Sequence, residues 1–208
     1  MAAPLLILAS RSPRRAQLLR DAGYSLRQVT PAFNDPPQPA HSDNPTQLAI
    51  DLAEAKARDV AAAIRGTIHP SRPALVLAAD TICVGADGTL YGQPGDRDDA
   101  RRMIRSFAHA THAVVTGVAI LRVRENKLVT FADRVEVTLG PLDEAVLDAY
   151  LRSDAWRGKA GGYNLFDRQA AGWPITLPDG ADPTTVVGLP MRKVTAALGD
   201  LGVAAGGG

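Results

Sequence analysis

With a single cysteine, Cys83, the chain can form no internal disulfide. Cys83 sits in an apolar run and is expected to be a small buried hydrophobe. His109 and His112 lie at no metal-ligand spacing from another histidine or from the cysteine, so a histidine-cysteine metal centre is not indicated. Aromatic residues make up only 5%, which requires an aliphatic, alanine-rich core. A net charge of +1 and the lack of an aromatic-basic stripe exclude a broad nucleic-acid-binding face. No apolar run reaches membrane-spanning length, and the N-terminus has neither the charged region nor the cleavage site of a signal peptide. A cytoplasmic location with no membrane partner is therefore expected. A Walker loop, GxxxxGK[ST], is missing, and no Ser-His-Asp constellation is suggested. Repeats and interdomain linkers are also missing. With 46% hydrophobic residues among 208, the reading is one domain over 1–203 and a disordered tail over 204–208.

What is present begins at the N-terminus, where residues 5–23 read LLILASRSPRRAQLLRDAG. Leu5 to Ala9 has the length of a buried strand. Ser12 suits an N-cap, Pro13 the first helical position, and Gly23 the stop. A strand that feeds a helix start leaves backbone N–H groups pointing at the turn, a natural anion site. This turn also carries Ser10, Arg11, Ser12, Arg14 and Arg15. Hydroxyls and guanidiniums at one helix mouth suit a polyphosphate, although charge alone would also fit an ordinary helix start with solvated arginines.

Two further residues point to the same chemistry. Asn44 and Pro45 open a helix to about Arg65, with an apolar stripe of Leu48, Leu52, Ala53, Ala57, Val60, Ala61 and Ile64. Lys56 falls inside that stripe and needs either a partner or a snorkelling path to water. Ala74 to Ala79 reads as a second buried strand ending at Asp80 and Thr81, the place where open α/β sheets put their chemistry. A basic helix mouth, a strand-end carboxylate and an inward lysine together describe a site for a metal-bound phosphate chain.

The remaining elements follow from pattern. Residues 24–30 predict a short strand and 31–45 a loop. Residues 82–84 and 89–91 predict a hairpin. A helix over Arg97–Phe107, capped by Asp96, should bury Ala100, Met103, Ile104 and Phe107, with Arg101, Arg102 and Arg105 on its solvated face. Residues 113–124 and 127–139 predict long strands, with Thr116 near the site. A helix capped by Asp143 should bury Val146, Leu147, Tyr150 and Leu151. Residues 179–185 predict a loop, and Pro190 starts a last helix burying Met191, Val194, Leu198 and Leu201.

The string LASRSPRRAQLLRDAG resembles the opening signature of the Maf family of nucleoside triphosphate pyrophosphatases, LASxSPRRxxLLxxxG. LAEAKA, ADT, HATHAVVTGVAI, WRGKAGGY and VVGLP extend the resemblance along nearly the whole chain. It implies an α/β fold like that of the Maf and ITPase proteins: a mixed twisted sheet flanked by helices, with a cleft between two lobes. It implies hydrolysis of a nucleoside triphosphate to the monophosphate and pyrophosphate, a divalent metal (Mg²⁺ or Mn²⁺), and a homodimer. Asp80 and Asp35 become candidates for holding the metal or activating water, though Asp35 is also an ordinary turn aspartate by pattern. Ser10, Arg14, Arg15, Lys56 and Lys159 become phosphate contacts. Gln93 stands where the family carries a phosphate-binding lysine. Asn164, Asp167, Arg168 and Gln169 lie in a stretch that departs from the family's base-pocket segment, and Asn164 and Gln169 are candidates to read a base edge. KAGGY resembles the branch acting on dTTP and UTP, and ADPTTVVGLP resembles the branch acting on 7-methyl-GTP. A non-catalytic nucleotide-binding or cell-division regulatory protein is the alternative that the Gln93 departure leaves open.

Overall fold

Two strands buried along most of their length, residues 74–84 and 110–122, and a helix capped at Asn44 organise the chain. The computed structural model describes residues 4–206 apart from 38, 70 and 71. In chain order the elements are β1 (Leu5–Ala9), α1 (Pro13–Asp21), β2 (Leu26–Val29), α2 (Pro45–Ile64), β3 (Ala74–Val84), β4 (Leu90–Tyr91), α3 (Arg97–Phe107), β5 (Ala110–Arg122), β6 (Lys127–Leu139), α4 (Glu144–Arg152), α5 (Leu165–Ala170), β7 (Ile175–Thr176), α6 (Pro183–Val187) and α7 (Met191–Asp200). A single 3₁₀ turn covers Ala160–Gly162. The caps explain most of the starts. Ser12, Asn44, Asp96, Asp143, Asn164 and Asp182 each accept a hydrogen bond from a backbone N–H in the first turn of their helix.

The sheet is mixed, in the order β2-β1-β3-β5-β6-β7, with β4 pairing to β3. β1 is parallel to β2 and β3, while β3, β5, β6 and β7 pair antiparallel in succession. On one edge of β3, β1 stops opposite Ala78 and β4 begins opposite Cys83. Residues 79–82 therefore have no strand partner on that edge among the described residues, and the functional cleft opens there.

Both faces of the sheet are covered. Leu75, Leu77 and Ala79 of β3 pack with Ala16 and Leu19 of α1 and Val194 and Leu198 of α7. Val76 and Ala78 face the other way, against Ala53, Ala57 and Val60 of α2. A further cluster around Phe107, Leu147, Trp156, Tyr163 and Trp173 builds the lobe beyond the cleft. Cys83 is buried in this lobe, and burial pushes its thiol pKa up to about 12.

Four expectations are corrected. β3 does not end at Asp80 but continues to Val84, because β5 pairs with it along its whole length to Val84. Residues 179–185 are not all loop: Asp182 caps and Pro183 starts α6, a helix signal hidden by its shortness. Val146 is 43% exposed, since only the Leu147, Tyr150 and Leu151 side of α4 meets the core. Met191 and Leu201, at the start and the C-cap of α7, are only half-buried, while Val194 and Leu198 in its middle are fully buried. At the tail, the Gly206 N–H donates to the Gly23 carbonyl at 2.9 Å, and 207–208 lie outside the described residues.

α2 sits unusually close to β5. A Cβ on Gly117 would lie 2.3 Å from the Ala49 carbonyl carbon and 2.4 Å from the Ile50 nitrogen. These are backbone atoms of a packed helix and cannot rotate away. Gly117→Ala is expected to destabilise the fold by about 1–3 kcal/mol through overpacking, read as a lower urea midpoint. An unchanged midpoint would show that α2 is free to shift.

Candidate active site

β1 delivers the chain into Ser10–Ser12, and the Ser12 cap turns it into α1. The Ser10 hydroxyl accepts from the Ser12 N–H at 3.1 Å, and Ser12 Oγ accepts from the Arg15 N–H at 3.4 Å. This fixes the helix mouth at the C-terminal edge of the parallel strands, the usual ligand side of such sheets.

Asp80 shares its face of β3 with Ala78 and Ile82, the face covered by α2. Opposite it on α2 is Lys56, whose side chain is only 12% exposed. Lys56 does not snorkel. Its Nζ donates to Asp80 Oδ1 at 2.5 Å and lies 2.8 Å from Asp35 Oδ1. The loop after β2, the long α2 helix and β3 thus bring three charged groups together from distant parts of the chain. Asp80 is largely buried, its side chain 14% exposed, whereas that of Asp35 is 50% exposed.

Thr81 points to the opposite face and starts a buried polar chain. Arg15 donates to the Gly188 carbonyl from Nε at 2.7 Å, to the Ala79 carbonyl from Nη1 at 2.7 Å, and to Thr81 Oγ1 from Nη2 at 2.9 Å. The Thr116 hydroxyl donates to the Thr185 carbonyl at 2.8 Å. Its one proton is then spent, so the 3.0 Å contact between Thr81 and Thr116 has Thr81 as donor. The Thr185 hydroxyl in turn donates to Asp133 Oδ2 at 2.6 Å, and Asp133 pairs with Lys193 at 2.7 Å. Burial lowers the pKa of Arg15, and the nearby Asp80 charge opposes this. Arg15 thereby satisfies the open edge of β3 at Ala79, with three of its five N–H donors committed to the protein.

Arg14 reaches across to the Gly158 carbonyl at 2.9 Å. Burial lowers its pKa, with the Asp167 carboxylate opposing. Lys159 lies beside it, 3.4 Å from Asp167, and burial lowers its pKa too. The segment carrying Lys159 is pinned to the β4 side by the Gly161 N–H, which donates to the Gly92 carbonyl at 2.9 Å. Gly161 has φ 67°, and a Cβ there would meet Cys83 Sγ at 2.8 Å, so only glycine allows this approach.

These groups line a cleft of about 710 Å³ that holds Ser10, Arg14, Lys56, Asp35, Asp80 and Gln93. A smaller recess of about 90 Å³ joins it, lined by Lys159, Tyr163, Asn164 and Val187 among others. Another cavity, about 460 Å³, has Arg65, Arg72 and Arg124 around apolar residues and no carboxylate in its lining. The structure therefore brings Ser10, Arg14, Arg15, Asp35, Lys56, Asp80, Gln93, Lys159 and Asn164 into one connected space. Gln169 lies apart from it, its amide donating to the Ile175 carbonyl at 3.1 Å. Asn164 borders the recess, but its side-chain oxygen is committed to the Asp167 N–H as the α5 cap.

Some features of the site escaped the sequence reading. Asp59 of α2 accepts from the backbone of the Asp35 loop, and the Thr81–Thr116–Thr185 chain joins three separate elements. His112, which has no metal-ligand spacing in the sequence, has a packing role instead. It is buried, stacks on Phe107 at 4.0 Å and shares a 2.8 Å hydrogen bond with the Tyr163 hydroxyl at the recess.

The donor set suits a hard divalent cation. Two carboxylates share one ammonium, leaving net negative charge opposite an arginine-bearing helix mouth. Carboxylate oxygens are the donors that Mg²⁺ and Mn²⁺ prefer, and Mg²⁺ commonly takes one or two carboxylates together with substrate phosphates. Among the described residues no group of three or more His, Cys, Asp or Glu could form a complete protein cage. Among the same residues no helix is long and apolar enough to cross a membrane.

The chain belongs to the Maf-like proteins, whose family model matches residues 5–201. Among similar proteins, one of Salinibacter ruber named dTTP/UTP pyrophosphatase is 39% identical over 192 residues, 91% of this chain and 87% of its own. Proteins of the same name from Symbiobacterium thermophilum and Deinococcus radiodurans are 36% and 35% identical, covering 95% and 99% of this chain and 94% and 97% of theirs.

Burial lowers the His112 pKa from 6.5 to about 4, so the ring is neutral in the folded protein at pH 7. Between those values the unfolded chain binds the extra proton, so stability falls as pH drops from the unfolded value through the folded one. The expected loss from this group is about 3 kcal/mol at full protonation. Urea titrations from pH 7 to pH 4 should show a flatter pH dependence for His112→Gln than for the wild type. Parallel curves would mean that His112 is not held neutral.

Proposed function

We propose that this protein hydrolyses dTTP and UTP between the α and β phosphates, releasing the nucleoside monophosphate and pyrophosphate. The observation that carries this reading is the convergence of Asp35, Lys56 and Asp80 opposite the Ser10–Arg15 helix mouth. The name shared by the relatives supports the choice of pyrimidine triphosphates. Family membership supports a divalent metal, a homodimer and a cytoplasmic setting.

In this reading Ser10, Arg14 and the α1 N-terminus bind the phosphate chain, and Lys159 and Gln93 contact it from the facing wall. Arg15 acts mainly by holding β3 and the α6 end in place, and it adds fixed positive charge. Asp35 and Asp80 would hold the divalent cation, which would supply a more acidic water and offset phosphate charge. Lys56 holds the two carboxylates in register and spreads the negative charge that develops on the phosphates. Asp35, the more exposed of the pair, takes the proton of the attacking water and passes it to solvent. Asn164 and the recess receive the nucleoside end.

Pure protein with Mg²⁺ or Mn²⁺ is expected to release pyrophosphate from dTTP and UTP in preference to CTP and 7-methyl-GTP. Asp80→Asn should lower that rate by at least about a hundredfold while the protein still folds. Nucleotide binding without release under either metal would overturn the hydrolase reading and favour a binding protein.

Gln93 is exposed at the cleft and uncharged. Gln93→Lys would add a charge-assisted bond and is expected to improve triphosphate binding by about 1–2 kcal/mol. The check is a lower KM with little change in kcat. An unchanged KM would place residue 93 beyond reach of the phosphates.

A further inference from the structure

Asp35 sits on an irregular loop, so its place against Asp80 needs a fixed point other than the ion pair it makes. Asp59 supplies one. Its Oδ2 accepts from the Ala32 N–H at 2.7 Å and from the Phe33 N–H at 3.2 Å. Two successive backbone donors on one carboxylate oxygen fix the chain direction as well as its position. Phe33 is two residues before Asp35, so that little of the loop remains free between the anchor and the carboxylate.

Asp59 and Lys56 are three residues apart on α2, and such residues share a face of the helix. Lys56 holds the Asp35 side chain and Asp59 holds the backbone that carries it. The two contacts differ in what a substrate does to them. A bound triphosphate competes with Asp35 for the Lys56 ammonium, whereas the Asp59 contacts lie on the loop backbone and are not drawn toward phosphate. The far side of the loop is tied separately, the Leu90 N–H donating to the Ala40 carbonyl at 2.8 Å.

We infer that Asp59 is a positioning residue that holds the Asp35 carboxylate beside Asp80, so that the place of Asp35 does not depend on the Lys56 ion pair alone. The inference rests on the reading of Asp35 and Asp80 as a cation-holding pair. It differs from a general stabilising role because its effect passes through Asp35 alone.

The test uses Asp59→Ala, Asp59→Asn, Asp35→Ala and the double variant Asp35→Ala/Asp59→Ala. Mn²⁺ binding is followed by electron paramagnetic resonance, and amide hydrogen exchange at Ala32 and Phe33 is measured without metal. Asp59→Ala is expected to weaken Mn²⁺ binding about tenfold, as loss of a supporting contact to a metal ligand does. Asp59→Asn, which keeps a neutral acceptor and guards against a folding defect, should fall between it and the wild type. The double variant should bind Mn²⁺ no more weakly than Asp35→Ala. Exchange at Ala32 and Phe33 should be at least about tenfold faster in Asp59→Ala, as expected when a local hydrogen bond no longer protects them. Unchanged Mn²⁺ affinity, or an equal loss in the Asp35→Ala background, would overturn the positioning role. If the wild type bound no Mn²⁺, the cation-holding reading would fail and the exchange data would decide the anchor by themselves. Unchanged exchange would overturn it in either case.

Discussion

The interrupted edge of β3 is the constraint on which the rest of the structure depends. β3 outruns its parallel neighbour β1, and β4 resumes pairing only at Cys83. A buried sheet edge with unpaired backbone groups is costly, so those groups must find other partners. Arg15 provides one at the Ala79 carbonyl, and its remaining bonds tie in Thr81 and the end of α6. The same interruption leaves room beside Asp80. Opening the sheet and exposing a strand-borne carboxylate to a ligand are thus one structural event.

That arrangement explains why the two neighbouring residues of β3 have different work. Alternation sends Asp80 toward α2 and Thr81 toward α1 and α6. Asp80 meets Lys56 and Asp35, where charge is concentrated and solvent reaches the cleft. Thr81 enters a closed chain of hydroxyls whose donors and acceptors are matched as far as Asp133. A fully satisfied polar chain of this kind rigidifies its surroundings. The charged trio is accordingly carried on a firm floor, while Asp35 comes from a loop and needs its own anchor.

Family membership and the cleft agree on chemistry at a phosphate chain, and they contribute different things. The relatives' name specifies pyrimidine triphosphates. The cleft supplies the groups on which the proposed roles rest: a helix mouth with Arg14, two carboxylates sharing Lys56, and a small recess beside Asn164. Asn164 illustrates how a sequence reading changes in the fold. Its side-chain oxygen caps α5, so the cap fixes how the side chain is turned toward the recess, with the NH2 group left as a donor.

Much was legible in the chain itself because the signals were local. Ser12 and Asn44 marked helix starts, Asp96 and Asp143 did the same, and runs of strand-forming residues placed β5 and β6 within a few residues. Lys56 was conspicuous because a charge on an apolar stripe must find a partner, and Asp80 because it followed a buried run. What the sequence could not decide was set by pairing between distant segments. β3 continued through Asp80 because β5 lay alongside it, and Gly117 was needed because α2 came to rest on its Cα. Arg14 and Arg15 read alike in the sequence, yet one faces the cleft rim and the other is buried against three acceptors. Short-range pattern determines which residues form helices and strands and which of them are out of place. Only the tertiary structure decides what those residues touch, because hydrogen-bond partners and burial are supplied by chain segments far away in sequence.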